Sequence, residues 1–575
     1  MQRRKRRQNS EGDPVRTWLS LILALAAAGD LAAQPKTNGP IIISPKRPAE
    51  TDPPGFIVIR PGGKVPAAAA QAPTLVTPAA AQNPPAAANP DGGFDYWFAA
   101  AVEGERIGFL QWSAKTVEMN GKKLRHGTKH QQFTVDRFGQ VVVQFGEEST
   151  VETPEGEVLL TTARQGLGKD QMLVLTGVVE GKTLKVKGEG VAAMAADSVP
   201  WPAGVVGVAG EAKLFAGKKL APGATFDYLT YFAQGNRVLK VTVTFEETAD
   251  AVLWQGAPAK RLSRWTSRME PLGTLKLPPA TTWADPDTGE PFRVEFDFPG
   301  LGGKVTFLRT TEAAAKAPIM RPLQLFNAQS IRLDREIADV HGRTSAVFKV
   351  TAARDDEPGT LFPTDGRQEV KNLDAKAKTF ELHVQAVRGP AKGAAAPAPG
   401  AEFLGSSFFI NWDNALVKGH AARAVAGLPA GAGAWDRAKA VERWVNQNMK
   451  SAEFSQSMAT ADNVAKTLSG DCTEYAMLAA AMCRAVGVPS RTVLGLVYAP
   501  GPGGRPFLAY HMWFEAFADG QWLPLDPTLG LGGVGPGHVK IADHSWHEER
   551  SFAPLFPVLR VLNAKPAVEV LRVAP

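Results

Sequence analysis

The stretch that decides the fold spans residues 469–528 and has the sequence SGDCTEYAMLAAAMCRAVGVPSRTVLGLVYAPGPGGRPFLAYHMWFEAFADGQWLPLDPT. It contains a cysteine, a histidine and an aspartate in that chain order, namely Cys472, His511 and Asp526. A thiol nucleophile needs such a set, because the histidine takes the thiol proton and the carboxylate orients the histidine. The stretch therefore predicts cysteine-dependent chemistry at one site.

Cys472 is predicted to lie at the start of a helix. Residues 473–486 are mostly strong helix formers, and Gly487 and Pro489 then end the helix, as this pair of residue types commonly does. Backbone N–H groups and the positive dipole at a helix start favour a thiolate and lower the pKa of a cysteine. The same N–H groups could stabilise the oxyanion that forms when a thiolate attacks a carbonyl carbon.

A hairpin is predicted to bring the histidine and the aspartate together. Residues 507–525 have the composition of two strands, and Asp519-Gly520 between them is a strong signal for a two-residue turn. With that loop, His511 and Asp526 lie on one face as diagonal neighbours, roughly 7 Å apart at the backbone. An even loop length keeps this parity, whereas an odd one destroys it. Asp526 would then orient His511 and stabilise its cationic form.

Four segments of this region, in this order, resemble the core of the transglutaminase-like superfamily. They are GDCTEYA at residues 470–476, RAVGVPSR at 484–491, YHMWFE at 510–515 and WLPLDPT at 522–528. The resemblance extends over about residues 412–571. It implies a papain-like α+β fold with Cys472, His511 and Asp526 as a catalytic triad. Members of this superfamily include cross-linking acyltransferases, peptidases and amidases, so the resemblance leaves the reaction open.

Length and composition describe an ordinary globular protein of several domains. The 575 residues predict two to four domains, and a hydrophobic content of 44% is ample for their cores. The net charge of +7 comes largely from the N-terminus, so nucleic acid is not an expected partner. A protein or peptide substrate is what the resemblance implies. Cys472 and Cys483 lie on one predicted helix, roughly 16 Å apart, too far for a disulfide.

The N-terminus has the layout of a secretory signal peptide at residues 1–33. A basic segment precedes the apolar run at residues 18–28, which is too short for a standard membrane span. Cleavage is predicted after Ala33, with cleavage after Ala28 or an uncleaved anchor as alternatives. Residues 34–92 are rich in proline and alanine and predict a disordered linker. The protein is thus expected in the periplasm, the cell envelope or the medium, with the export signal as its membrane contact.

Alternating apolar and polar residues predict β structure before the catalytic region, so the overall class is α+β. Residues 93–317 are expected to form antiparallel β structure, either one large curved sheet or two sandwiches. A smaller β domain is predicted at 318–388, a linker at 389–401 and the catalytic domain at 402–575. Residues 558–573 are predicted to close that domain with one or two strands. Substrate docking, regulation and passive scaffolding are all open roles for the β regions.

Three side chains near the predicted site have alternative interpretations. Trp513 and Trp522 are candidates for the walls of a substrate groove, with core packing as the alternative. Glu515 shares the predicted face of His511, but it lies further along the same strand. Asp526 is therefore the preferred carboxylate for orienting the imidazole.

Two further groups of titratable residues receive a structural interpretation. Asp471 and Glu474 flank the cysteine, and they are expected to face outward or to hold a loop, because a carboxylate aimed at the thiol would raise its pKa. His538, His544 and His547 suggest a metal cluster, but no cysteine joins them and the nearby acidic residues lack a familiar spacing. Neither a metal nor an organic cofactor is predicted.

Together these features predict an exported, cysteine-dependent acyl-transfer enzyme that acts on protein or peptide amide bonds through a thioester. An amine acceptor would make it a transglutaminase-like transferase, and water would make it a cysteine peptidase or amidase. A binding or assembly protein that keeps the fold without turnover is the alternative from another class. The sequence assigns no oligomeric state.

Overall fold

The computed structural model describes residues 93–137, 140–168, 171–189, 197–254, 257–324, 330–391, 396–451, 458–501, 505–547 and 553–575. The predicted signal peptide at 1–33 and linker at 34–92 lie outside these residues, as does the middle of the linker predicted at 389–401. Of the residues that are described, 48% lie in strands and 18% in helices. Within the same ranges, no helix combines the length and the apolar character needed to cross a bilayer.

One large sheet of 16 strands makes up the N-terminal part of the fold. Its strands are β1 (Phe94–Val102), β2 (Glu105–Met119), β3 (Lys122–Arg137), β4 (Gln140–Glu152), β5 (Val158–Gly168), β6 (Gln171–Glu180), β7 (Thr183–Glu189), β8 (Asp197–Pro200), β9 (Val205–Val206), β10 (Thr225–Phe232), β11 (Arg237–Ala251), β12 (Lys260–Met269), β13 (Ala280–Ala284), β14 (Pro291–Phe298), β15 (Gly303–Thr310) and β16 (Leu323–Gln324). Short helices α1 (Val208–Glu211) and α2 (Glu312–Ala315) interrupt the series. Of the two expected arrangements, the structure has the single sheet.

The order of strands in this sheet follows from its hairpins. From β8 the sheet runs back along the sequence to β1, which pairs with β15, and then continues back from β15 to β9. Nearly all pairs are antiparallel, and the parallel ones are β9 with β10 and β16 with β3. Tight turns connect several of the neighbours, and Asn120-Gly121 between β2 and β3 has positive φ at both residues, 52° and 72°.

The C-terminal part combines two smaller sheets with a group of helices. Its elements are β17 (Ser330–Arg332), β18 (Ser345–Thr351), β19 (Gln368–Asp374), β20 (Thr379–Gln385), α3 (Ala415–Val425), α4 (Ala434–Asn448), β21 (Lys450–Ser451), α5 (Ala461–Thr467), β22 (Ser469–Gly470), α6 (Cys472–Ala485), β23 (Ser490–Ala499), β24 (Phe507–Ala518), β25 (Gln521–Leu525), β26 (His538–His544), α7 (Phe556–Ala564) and β27 (Ala567–Ala574). Helix α6 packs between the other helices and strands β23 and β24, and 13 of its 14 residues are buried.

The two smaller sheets exchange strands across the predicted domain boundary near residue 400. The central sheet has the order β17-β24-β23-β26, with β25 on β24, so β17 from before the boundary joins it. The small sheet has the order β19-β20-β18-β27, so the last strand of the chain returns to the earlier β unit. Arg560 of α7 adds a bidentate ion pair to Asp355, at 2.7 and 2.8 Å. The small sheet and the central sheet therefore hold one another in place.

The end of the chain differs from the prediction of one or two strands at residues 558–573. Helix α7 occupies the first half of that stretch, and β27 is a strand only from Ala567 onward. Four apolar side chains of α7 are buried at helical spacing, namely Val558, Leu559, Val561 and Leu562. Pro557 lies in the first helical turn, where its missing N–H costs no hydrogen bond. Short apolar runs fit either period, and here the packing selects the helix.

Candidate active site

Cys472 is the first residue of α6, as the sequence predicts, and 2% of its surface is exposed. Asp471 caps the helix, and its side chain accepts a hydrogen bond of 3.0 Å from the Thr473 N–H. Glu474 completes a capping box, because its Oε2 accepts from the Asp471 N–H at 3.0 Å. These two hydrogen bonds hold the turn that presents the cysteine.

The two acidic residues beside Cys472 are buried, so of the two expected alternatives, facing outward or holding a loop, the first is wrong and the second is found for Glu474. Asp471 is 7% exposed and Glu474 1%. Glu474 does hold a loop, since its Oε1 accepts a hydrogen bond of 3.1 Å from the Ala459 N–H. Burial, and then the neighbouring charge of Asp471, raise the pKa of Glu474 well above its ordinary value. Both carboxyl groups accept hydrogen bonds from backbone N–H groups and so hold the turn around Cys472.

The predicted hairpin is confirmed with its register. Phe514 of β24 pairs with Leu525 of β25, and the pairing continues to the turn. The turn residues Asp519 and Gly520 have φ of 49° and 72°, the left-handed pair that a two-residue hairpin requires. The even loop therefore places residue 526 on the same face as residue 511.

His511 and Asp526 are in direct contact. Nε2 of His511 lies 2.7 Å from Oδ2 of Asp526, and the two side chains are 2% and 0% exposed. Since Nε2 is engaged by the carboxylate, Nδ1 is the ring nitrogen that can take a proton from a thiol. Helix α6, which begins at Cys472, packs against β24, the strand that carries His511.

Asp526 accepts hydrogen bonds at both carboxylate oxygens. Oδ1 accepts from the backbone N–H groups of Thr528 at 2.9 Å and Leu529 at 3.2 Å. Oδ2 accepts from His511 and, at 2.9 Å, from Nε2 of His538. Burial alone would raise the pKa of Asp526, but the two histidines hold that pKa far below its usual range. The carboxylate is therefore ionised whenever the protein is folded near neutral pH.

His538 is the member of this site that sequence reasoning missed. It is 0% exposed, and burial lowers the pKa of its ring to about 4, although Asp526 opposes that shift. Its position depends on the pairing of β26 with β23, where Val497 faces His538 and the register shifts between Leu494 and Gly495. No local motif signals that pairing, and only the assembled sheet brings His538 to Asp526.

Three of the described side chains have the composition of a metal cluster. Ligand atoms of His511, Asp526 and His538 lie within 4.8 Å of one another. Nε2 of His511 and Nε2 of His538 both donate to Oδ2 of Asp526, so a metal ion bound by these atoms would have to displace both Nε2 protons. The cluster is a hydrogen-bonded network as it stands, and its members differ from the histidine trio that the sequence suggested.

Trp513 is fully buried and so does not line an open groove. Its ring stacks 6.2 Å from that of His511 and meets the ring of His538 edge-on at 5.2 Å. Gly495 makes room for it, because a Cβ there would lie 2.4 Å from the indole and 2.3 Å from the carbonyl oxygen of Val539. Of the two roles expected for Trp513, the structure supports core packing, directly beneath the histidines.

Trp522 and Glu515 lie further along the hairpin from His511 than Trp513 does. Trp522 pairs with Phe517, six residues along β24, which is about 20 Å from His511 along the strand. Its ring packs against Phe517, and the Arg491 guanidinium covers it at 4.2 Å. The structure therefore gives no support to Trp522 as a groove wall. Glu515 instead forms an ion pair with Arg491 at 2.6 Å.

Of the comparisons with known proteins, one identifies a family over part of the chain. Residues 420–527 match the family model of the transglutaminase-like superfamily, a segment that includes Cys472, His511 and Asp526. The chain therefore carries a transglutaminase-like superfamily domain, as the sequence motifs predict. No curated protein matches the chain in sequence.

Solved structures show weaker likeness. A protein from Cytophaga hutchinsonii, provisionally described as a cysteine protease, is 16% identical, with 39% of this chain and 82% of that chain covered and a TM-score of 0.26. A β-barrel-like protein from Brucella abortus, of a domain family of unknown function, is 12% identical over 38% of this chain and 95% of that one, with a TM-score of 0.26. These TM-scores are too low to support a functional assignment.

Proposed function

We propose that this protein is an exported cysteine enzyme that transfers acyl groups from protein or peptide amide bonds, with Cys472, His511 and Asp526 as its triad. The observation that carries the proposal is the 2.7 Å contact between His511 and an ionised, buried Asp526, on a strand packed against the helix that begins at Cys472. The transglutaminase-like domain at residues 420–527 supports the same assignment. The export signal remains a prediction from the sequence.

The reaction would begin with proton transfer from the thiol of Cys472 to Nδ1 of His511. The thiolate attacks the amide carbonyl carbon, and backbone N–H groups at the helix start would stabilise the developing oxyanion. Collapse of the tetrahedral intermediate breaks the C–N bond, and His511 gives its proton to the leaving amine. The product of this half-reaction is a thioester on Cys472.

The second half-reaction regenerates the thiol. His511 removes a proton from water or from a primary amine as that group attacks the thioester carbonyl. The C–S bond then breaks, the acyl group departs on its new oxygen or nitrogen, and His511 returns the proton to the thiolate of Cys472. Water yields a carboxylic acid, and an amine yields a new amide. Asp526 keeps its charge throughout and stabilises the imidazolium that forms in each half-reaction.

A single assay tests the proposal and separates the two acceptors. The full chain is incubated with a glutamine-containing casein substrate and a biotin-labelled primary amine, beside Cys472→Ala and the matched control Cys483→Ala. Amine incorporation that disappears in Cys472→Ala, but not in the control, supports a transferase. Release of acid or shorter peptides with the same dependence supports a hydrolase. A second measurement, the alkylation rate of Cys472 against pH, tests the alternative: a wild-type Cys472 that alkylates like a free thiol would support a binding protein.

A further inference from the structure

Two histidines share one oxygen of the Asp526 carboxylate. Nε2 of His511 lies 2.7 Å and Nε2 of His538 lies 2.9 Å from Oδ2. An ionised carboxylate only accepts hydrogen bonds, so each of these nitrogens carries a proton. Because its pKa is lowered to about 4, His538 is neutral near pH 7 and acts as a fixed N–H donor.

We propose that His538 is a positioning residue that fixes Oδ2 of Asp526 and withdraws part of its negative charge from His511. An imidazolium that a carboxylate stabilises too strongly is a poor acid, and proton return to the leaving amine would then be slow. The N–H of His538 weakens that stabilisation and so makes the imidazolium of His511 a stronger acid than it would be beside an unshared carboxylate. Only this catalytic benefit rests on the proposed function, whereas the shared hydrogen bond does not.

The groups that face the pair come from several elements. His511 approaches from β24 and Asp526 from the end of β25. The ring of His341, on the segment before β18, meets His538 at 5.5 Å between centroids, and it interacts electrostatically with Asp526. From α4, the carboxyl group of Glu442 interacts with Asp526 as well. His538 is the one among them that donates to the carboxylate besides His511.

The small sheet holds the backbone that carries His538. A guanidinium nitrogen of Arg367 donates to the carbonyl oxygen of His538 at 2.7 Å. Gln368 bonds Lys540 twice, accepting from its N–H at 2.8 Å and donating to its carbonyl oxygen at 2.9 Å. Val387 and Val534 exchange backbone hydrogen bonds just before β26. The small sheet therefore helps to position His538.

Three substitutions of His538 test the proposal in the full chain. Leucine removes the donor. Asparagine keeps polarity, but its amide is too short to reach Oδ2. Glutamine places an amide N–H where Nε2 of the ring was. The probe is iodoacetamide, and the measured quantity is the labelling rate of Cys472 against pH, read by mass spectrometry, with a chelator present.

In the wild type, the labelling profile should show an upper transition where the imidazolium of His511 loses its proton. This transition should move to higher pH by roughly one unit in His538→Leu and His538→Asn, because a hydrogen bond to a charged group is lost. His538→Gln should retain the wild-type profile. Thermal unfolding of each variant reports whether the fold is intact.

Either of two results would overturn the role of His538. One is a lower labelled fraction with an unmoved transition in the leucine and asparagine variants, which is what a merely structural residue produces. The other is a glutamine variant that shifts as far as the leucine variant does. Failure of the proposed function looks different, since Cys472 would then label like an ordinary thiol in the wild type itself. If leucine prevents folding, the asparagine and glutamine pair decides.

Discussion

Replacing Asp526 with asparagine should disable the thiol while the fold persists. Asparagine can keep Oδ1 toward the backbone N–H groups of Thr528 and Leu529, and it can turn its NH₂ group toward His511 and His538. Two N–H bonds then face two ring nitrogens, so both rings must present an unprotonated Nε2. The remaining proton of His511 moves to Nδ1, and this tautomer cannot accept the proton of Cys472.

The size of the effect follows from the thiolate population at pH 6. In the wild type, pairing with the imidazolium should keep Cys472 almost entirely as thiolate at that pH. In the variant, the thiol returns to a pKa of about 7.5–8.5, with the helix start favouring the lower value, and about 0.3–3% is thiolate. The labelling rate at pH 6 should therefore fall by about 30- to 300-fold.

The assay is iodoacetamide labelling at pH 6, followed by mass spectrometry of the peptide that contains Cys472. Cys483 serves as an internal reference, because burial raises the pKa of its thiol well above the ordinary value, so almost none of it is thiolate at pH 6 and it should stay unlabelled in the folded protein. Asp526→Ala is the contrasting variant: it leaves four donors without an acceptor, each at a cost of about 1–3 kcal/mol, and should unfold at a lower temperature. An intact Asp526→Asn variant that labels as fast as the wild type would refute the reasoning.

Three further predictions concern the supports of the site. Burial raises the pKa of Glu442 from 4.5 to about 7, so its contribution to stability is full below about pH 4.5 and is lost as the pH rises through about 7. Glu442→Gln should therefore raise the free energy of unfolding, measured in urea, by up to about 3 kcal/mol at pH 8 and leave it unchanged at pH 4. Gly495→Ala should lower the melting temperature and slow Cys472 labelling, because its Cβ would meet Trp513 at 2.4 Å. The control is Gly419→Ala on α3, where a Cβ would meet no atom within 4 Å, and it should be neutral or stabilising in the same thermal melt. Lys540→Met should destabilise by about 1–3 kcal/mol in urea unfolding, because the buried Glu515 loses the partner that Lys540 provides at 3.1 Å, although it keeps its ion pair with Arg491; an unchanged free energy of unfolding would contradict that.

Several elements were predictable because they depend on local chemistry. The run of helix formers after Cys472 determines α6, and Asp519-Gly520 determines a two-residue turn whose parity brings His511 to Asp526. The apolar stretch that became α7 was not predictable in the same way. Its residues suit a strand or a helix, and contacts with distant parts of the chain decide between them.

The two tryptophans of the hairpin show the same limit of prediction from the sequence. Trp513 and Trp522 are nine residues apart on one hairpin, and both were reasonable groove candidates from the sequence. Whether an aromatic ring faces a groove or a neighbouring strand depends on which strand lies beside it. Gly495, on β23, provides the space that Trp513 occupies, and this relation is visible only in the assembled sheet.

By itself, the sequence determined the helix that begins at Cys472 and the contact between His511 and Asp526, because helix propensity and the two-residue period of a strand act over short distances. Only the tertiary structure decided that His538 joins the same carboxylate, and that Arg367 and Gln368 hold its strand. These contacts link residues up to about 170 positions apart. No local propensity encodes which distant strand becomes a neighbour.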